Sequence, residues 1–320
     1  MNNSTISFGY DKDISIQTSY TFKALVTVAI SFVALSSVLG NILVIITFVK
    51  AERLRTNANY YITSLAVSDL LFVATEWPLF SRSRFSVLGE SLSTFQCKIV
   101  NYFGPVSYTV STESLVLITV DRYIAVVFPL KVAMISGRIR ALFILLSWII
   151  PTVGLVPYSY SSRSAKPDEV FLCPTDTGGK AIKIYYIVGF VLLYCAPLIV
   201  IITLSVRIIK TLRRTNPVMQ VNGHSNRIRC QRNQRIMKIL ISVMASFLIC
   251  WTLYYPSKIL LQILHNVLTR KTQAMVHTVS YFLPYLSTAV NPLILFTFST
   301  NYISRNRRHL SPRSTNPAVN

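Results

Sequence analysis

Seven stretches of this chain are long and apolar enough to cross a bilayer, and that feature excludes most folds at once. They run near residues 22–49, 58–81, 97–128, 139–160, 182–209, 236–263 and 275–298. A helix needs about 20 predominantly apolar residues to span the hydrocarbon. The span cores are rich in Leu, Ile, Val and Phe, as at 141–151 and 184–206. In lipid every backbone polar group must be satisfied inside the structure, which leaves helices or closed barrels. A barrel would show strand-length segments alternating by two, and this chain has no such pattern. Only 13% of its residues are charged and 52% are hydrophobic, against about 25% charged in soluble proteins. The expected fold class is an all-α membrane protein, a seven-transmembrane helix bundle. Residues 1–21 form an amino-terminal segment and 22–298 the bundle.

A net charge of +21 would suit a nucleic-acid partner, but its distribution points to the membrane. With the amino terminus outside, the first inner loop carries Lys50, Arg53 and Arg55, and the second carries Lys131, Arg138 and Arg140. The third runs from Arg207 to Lys238 with nine basic residues, and the tail adds Arg305, Arg307, Arg308 and Arg313. Asp11, Asp13, Glu90, Asp168, Glu169 and Asp176 all fall outside. This asymmetry is the positive-inside pattern, and it fixes the orientation. A basic inner face suits anionic lipid headgroups, and no nucleic-acid partner is expected. The short polar amino terminus has no cleavable signal pattern, so the first span is expected to act as its own insertion signal. Asn2 and Asn3 head two overlapping glycosylation triplets on the outer side. Of five cysteines, Cys195 and Cys250 fall within spans and Cys230 faces the reducing cytoplasm. Cys97 and Cys173 are left at the outer surface, and a disulfide follows by elimination.

Ionisable groups within the bilayer are costly and mark functional candidates. Cys97 and Arg122 are 25 residues apart, roughly 37 Å of helix, so the third span runs from the outer disulfide to the inner surface. On it Gly104, Tyr108, Ser111 and Arg122 share one inward stripe. Glu113 is half a turn out of phase and reads as a structural hydrogen-bonding residue. Asp69 sits mid-span without a basic partner at its depth, so it must be protonated, hydrated or paired with a cation. Glu76 lies two turns outward on the same face. It either meets a positively charged ligand group or pairs with Arg82, Arg84 or Lys258. Lys258, two turns outward of Trp251, either lines the pocket or snorkels to the surface. The seventh span carries His277, Tyr281, Pro284, Tyr285, Thr288 and Asn291 at steps of three and four, an inward polar and aromatic stripe suited to lining a ligand pocket.

Taken together, these residues resemble the rhodopsin-like G-protein-coupled receptors across about residues 22–310. The resemblance rests on Gly40-Asn41-Ile42-Leu43-Val44, Leu65-Ala66-x-x-Asp69, Cys97 and Asp121-Arg122-Tyr123, with Pro129-Leu130 following. It continues through Trp148, Pro197, Phe247-x-x-Cys250-Trp251 and Asn291-Pro292. It implies that Asp121 holds Arg122 at rest and that Arg122 meets a heterotrimeric G protein, with Tyr123, Pro129 and Leu130 nearby. It implies a sodium pocket at Asp69, Ser111 and Asn291, the only non-protein group expected. Trp251 would be the pivot beneath the ligand, and 296–310 a membrane-surface helix opening a short cytoplasmic tail, 299–320. The chain departs from the pattern at Leu253, where the family has a proline that appears here at Pro256. Ser205 and Leu295 replace two tyrosines, and Asn233-Gln234-Arg235 supplies no acid at the foot of the sixth span.

The same resemblance narrows the ligand. Tyr285 stands where retinal proteins carry a lysine, and Gly104 where amine receptors carry an aspartate. Cys97-Lys98-Ile99-Val100 and the run from Asp121 to Leu130 look like the peptide-receptor branch. The expectation is a plasma-membrane receptor for an extracellular neuropeptide. Its basic or amidated end would reach Glu76, with aromatic groups against Tyr108, Tyr281 and Trp251. The alternatives are a receptor for a small non-peptide molecule, or a transporter. A transporter would show broken helices or inverted repeats. An enzyme would show a catalytic cluster, whereas His224, His265, His277 and His309 are scattered.

Overall fold

A computed structural model describes residues 5–50, 57–85, 93–128, 136–164, 173, 179–221, 238–239, 241–254, 257 and 267–310. All regular elements among them are helical. They are α1 (Thr5–Lys50), α2 (Asn57–Phe85), α3 (Thr94–Val127), α4 (Gly137–Gly154) and a short α5 (Val156–Tyr160). Then come α6 (Lys180–Phe190), a π-helical turn (Val191–Cys195), α7 (Ala196–Val221), α8 (Ile241–Tyr254) and α9 (Arg270–Leu310). The fifth apolar stretch is thus one run, α6 to α7, wound more loosely at its middle. The helices extend beyond the apolar stretches: α1 begins at Thr5, and α9 continues to Leu310 through the segment expected to lie on the membrane surface.

Residue exposure is inverted relative to a soluble bundle. Leu25, Phe32, Leu39 and Leu43 on α1, Leu142, Leu145 and Ile150 on α4, and Ile184, Ile187 and Ile199 on α6–α7 are all exposed. Asp69, Glu76, Ser111, Thr112 and Asn291 are buried. Lipid solvates the first set and the bundle interior satisfies the second. By length and composition α1, the α4–α5 run and the α6–α7 run are able to cross a membrane.

The third span is the axis: α3 packs against α2, α4, α5, the π-turn and α7. Its middle is buried nearly all round, from Val106 to Thr112 without a break, as expected of a helix enclosed by others. Its outer end is fixed by a capping box. Ser93 Oγ accepts from Gln96 N (3.3 Å) and Gln96 Oε1 accepts from Ser93 N (2.9 Å), satisfying two amides that the helix leaves orphaned. Ser136 caps α4 in a similar way through Ile139 N.

α1 closes on α9 at a glycine. A Cβ at Gly40 would stand 2.6 Å from Pro292 Cγ, so only hydrogen allows this approach. Next to it Asn41 Nδ2 donates to Thr288 O (3.1 Å) and Ser37 O (2.9 Å), tying the helices together. The kink expected at Pro256 lies outside the described residues, as do Asn2, Asn3, Lys258, Pro129, Leu130 and Asn233.

Candidate functional site

The functional residues fall into four layers from the outer mouth to the inner face. The outermost holds the Cys97–Cys173 disulfide, with Cα atoms 5.2 Å apart. It joins the first turn of α3 to the second outer loop. Asn101, one turn further in, donates to Cys173 O (3.1 Å) and Ser162 Oγ (3.0 Å). Sequence reading missed Asn101. An Asn one turn from a bridged cysteine was the available signal, since its amide can satisfy loop carbonyls.

Below lies an acidic and aromatic layer. Glu76 is buried, and its carboxylate rests against Gly104, so a side chain at Gly104 would run into it. Tyr254 of α8 lies within electrostatic reach of the same carboxylate. Tyr108 meets Trp251 with ring centroids 4.3 Å apart and stacks on Phe247 at 5.8 Å. Phe72 bridges Trp251 (6.0 Å) and the fully buried Tyr285 (5.2 Å), both edge-on. Such edge and offset pairs are the favoured aromatic arrangements. Three of the expected pocket residues, Tyr108, Trp251 and Tyr285, therefore come together, and Phe72 is the mortar that sequence reading missed. His277 and Tyr281 lie on α9, with side chains outside the described set, and Lys258 lies outside it altogether. A narrow cleft lined by Tyr108, Thr112, Tyr194, Leu198 and Trp251 runs from this layer towards α7. The π-turn rotates Tyr194 inward, where its hydroxyl bonds Thr252 Oγ1 (2.9 Å).

The middle layer is polar and buried. Asn291 Nδ2 donates to Asp69 Oδ2 (2.9 Å) and Ser111 Oγ to Asp69 Oδ1 (3.2 Å). Ser68 Oγ and Ser111 Oγ are 2.8 Å apart. All four residues are buried. Asn291 Oδ1 has no hydrogen-bond partner among the described residues. An acid in such a place is tolerated only with partners like these. About one turn further in, Ser64 Oγ accepts from Ser114 (3.1 Å) and from Trp148 Nε1 (3.1 Å), linking α2, α3 and α4.

The innermost layer centres on Asp121. Its Oδ2 pairs with Arg122 Nη2 (3.2 Å) and its Oδ1 with Arg140 Nε (3.5 Å). Tyr123 packs edge-on against Phe128 at 5.9 Å. Ser205 donates to Met244 Sδ at 3.8 Å, and Thr119 reaches the same sulfur at 3.0 Å. A sulfur shared by two hydroxyls thus links α3, α7 and α8 close to where the family's helix-five tyrosine would stand.

Comparison with known proteins bears on the chain as a whole. Residues 40–295 match the family model described as 7 transmembrane receptor (rhodopsin family). The chain is 30% identical to the Substance-K receptor of Mus musculus over 268 residues, 81% of this chain and 68% of that protein. It is 28% identical to the Substance-K receptor of Bos taurus over 306 residues, 92% and 78% of the two chains. It is 30% identical to the Neuropeptide Y receptor type 2 of Homo sapiens over 280 residues, 84% and 72%.

Proposed function

The chain belongs to the rhodopsin family of seven-transmembrane receptors, and from that premise we propose that it binds an extracellular neuropeptide and passes the signal through Arg122 to a heterotrimeric G protein. It is a multi-pass protein of the plasma membrane, and its family is one of receptors rather than enzymes. The relatives named for substance K and neuropeptide Y support the ligand class.

The observation that carries the docking mode is the buried carboxylate of Glu76 against Gly104, above the Tyr108–Trp251 pair. A basic or amidated peptide end would pair with Glu76, and aromatic side chains would rest on Tyr108, Tyr281 and Trp251. Tyr285, His277 and Lys258 would complete the wall. A charge pair in such a desolvated place is stronger than at the surface. The Cys97–Cys173 bridge ties the second outer loop to the first turn of α3.

At the inner end Asp121, Arg122 and Tyr123, with Pro129 and Leu130 of the second inner loop, form the G-protein contact. Residues after the seventh span would lie along the inner leaflet and open a short cytoplasmic tail, and Asn2 and Asn3 would be glycosylated outside. The middle layer fits a sodium ion. Asp69, Ser111 and Ser68 bring oxygen donors together with Asn291 bonded to Asp69, oxygen being what a hard cation prefers, and the ion would balance the Asp69 charge.

The experiment is a peptide library screened for guanine-nucleotide exchange in membranes carrying the chain. At least one basic or amidated peptide is expected to raise exchange. Glu76→Gln is expected to weaken its potency by about tenfold or more, as for loss of one buried charge-assisted bond. Gly104→Ala, whose methyl has the flexible Glu76 side chain as its nearest neighbour, is expected to weaken it too, without loss of surface expression. If every active peptide acts equally on wild type and E76Q, the docking mode is wrong. If no heterotrimer responds to any condition, the coupling itself is wrong.

A further inference from the structure

The second cation on Asp121 is unexpected. Arg140 is the fourth residue of α4 and is buried, whereas Arg138, two residues earlier, is exposed. At 100° per residue the two point to very different sides of the helix. Charge patterning alone reads both as orientation signals. Arg140 occupies a place that disfavours a cation on two counts. It is taken out of water, and it lies in the first turn of a helix, where the unpaired amides already present positive charge. An anion must offset both, and Asp121 Oδ1 supplies it at 3.5 Å. Tyr61, itself buried on α2, lies within electrostatic reach of both charges.

This arrangement divides the carboxylate. An arginine grips a carboxylate most strongly when two parallel N–H bonds engage both oxygens. Here the two oxygens of Asp121 lie against different guanidiniums, Oδ2 by Arg122 Nη2 and Oδ1 by Arg140 Nε, so two cations share one carboxylate. The resting hold on Arg122 is therefore weaker than the residue pair could make it. When Arg122 leaves for the G protein, Asp121 is not abandoned either. Uncovering a half-buried charge with no partner is expensive, and Arg140 stays behind to prevent it. Both effects have the same sign: each lowers the cost of releasing Arg122.

We propose that Arg140 is a positioning residue for activation, one that shares Asp121 with Arg122 and so sets how readily Arg122 is released. The inference rests on the receptor reading given above and adds a residue on α4 to its switch. It also gives the missing acid at the foot of the sixth span a counterpart: the resting state is tuned by competition at Asp121.

The test uses the full chain reconstituted with purified heterotrimers, reading agonist-independent nucleotide exchange per receptor at equal density. R140Q is expected to lower basal exchange by about threefold, the scale of one partly exposed ion pair. R140K, which keeps the charge, is expected to recover most of it. D121N is expected to raise basal exchange, and D121N/R140Q to match D121N, because the proposed effect of Arg140 on Arg122 runs through Asp121. A merely structural role would lower exchange by the same factor in both backgrounds. Should R140Q not reach the surface, R140M, which keeps the aliphatic stem, replaces it in every comparison with the same expectations. The proposal is overturned if the neutral variant leaves basal exchange unchanged or raises it, or if its effect persists in D121N. A wild-type chain that stimulates no heterotrimer overturns the receptor reading along with it, whereas an active wild type indifferent to R140Q overturns this inference alone.

Discussion

Replacing Gly40 by alanine adds one methyl at the tightest contact between α1 and α9. That methyl would stand 2.6 Å from Pro292 Cγ and 2.9 Å from Pro292 Cβ. Carbon atoms pack at about 3.5–4.0 Å, so the helices must part by about 1 Å. The proline ring has no rotamer to escape into. Overpacking of this kind costs about 1–3 kcal/mol. Parting the helices also stretches the bond from Asn41 Nδ2 to Thr288 O, now 3.1 Å, which is worth about 1 kcal/mol. Against these, alanine gains about 1 kcal/mol over glycine within a helix. The net expectation is a loss of about 1–3 kcal/mol. Gly189 provides the control, because a Cβ there meets nothing within 4 Å. Gly189→Ala should be neutral or stabilising by up to about 1 kcal/mol. Thermal denaturation of both purified variants in mild detergent reads the difference. If G40A melts with or above G189A, the close approach is not a steric constraint and the reasoning fails.

Three further outcomes are expected. Cys97→Ser and Cys173→Ser should each lower the melting midpoint by the same amount, and the double variant no further, since a bridge closing 76 residues is worth about 2–4 kcal/mol; additive losses would mean that the cysteines act separately. Sodium should raise the wild-type melting midpoint relative to choline at equal ionic strength, and Asp69→Asn should abolish the difference; an unchanged sodium response in D69N removes the ion from the middle layer. Met244→Leu keeps the volume but deletes the sulfur that Thr119 and Ser205 share, and basal nucleotide exchange should rise about twofold to fivefold for a lost bond of about 1 kcal/mol; unchanged exchange would show that the sulfur holds nothing.

Sequence alone conveyed much of the fold because lipid imposes strict rules. Span length, inward polar residues and inner positive charge are each fixed by the solvent, so helical counting put Asp69, Ser111 and Asn291 each on the inward side of its own span, and the family resemblance grouped the three. Counting failed where a helix leaves its standard pitch. The π-turn at Val191–Cys195 adds a residue to one turn, which rotates everything beyond it by about 100°. Tyr194, inside that turn, reaches Thr252 and the aromatic layer, where the altered pitch breaks the 3.6 periodicity that counting relies on. Phe72 was invisible for another reason. An apolar residue in an apolar span carries no contrast, and only the packing of α2 shows that it joins Trp251 to Tyr285.

Glu76 and Gly104 show why the pocket was legible only in halves. Each had a separate meaning in sequence: an acid inside the membrane on α2, and a missing acid on α3. Neither number indicates that the two positions face one another, because that depends on the rotation and depth of two packed helices. Once they do, the two observations become one. Removing the side chain at Gly104 creates the space that the longer Glu76 side chain fills from the opposite wall. The negative charge stays in the outer half of the bundle but is now tethered to α2. A ligand cation drawn to it would pull on α2 as well as on α3, and α2 also carries Phe72 and Asp69. Phe72 touches Trp251, and Asp69 binds Ser111 and Asn291. One helix therefore presents the outer charge, the aromatic contact and the middle polar layer in sequence, a continuous physical route from ligand to core that runs beside the one formed on α3 by Tyr108 and Ser111.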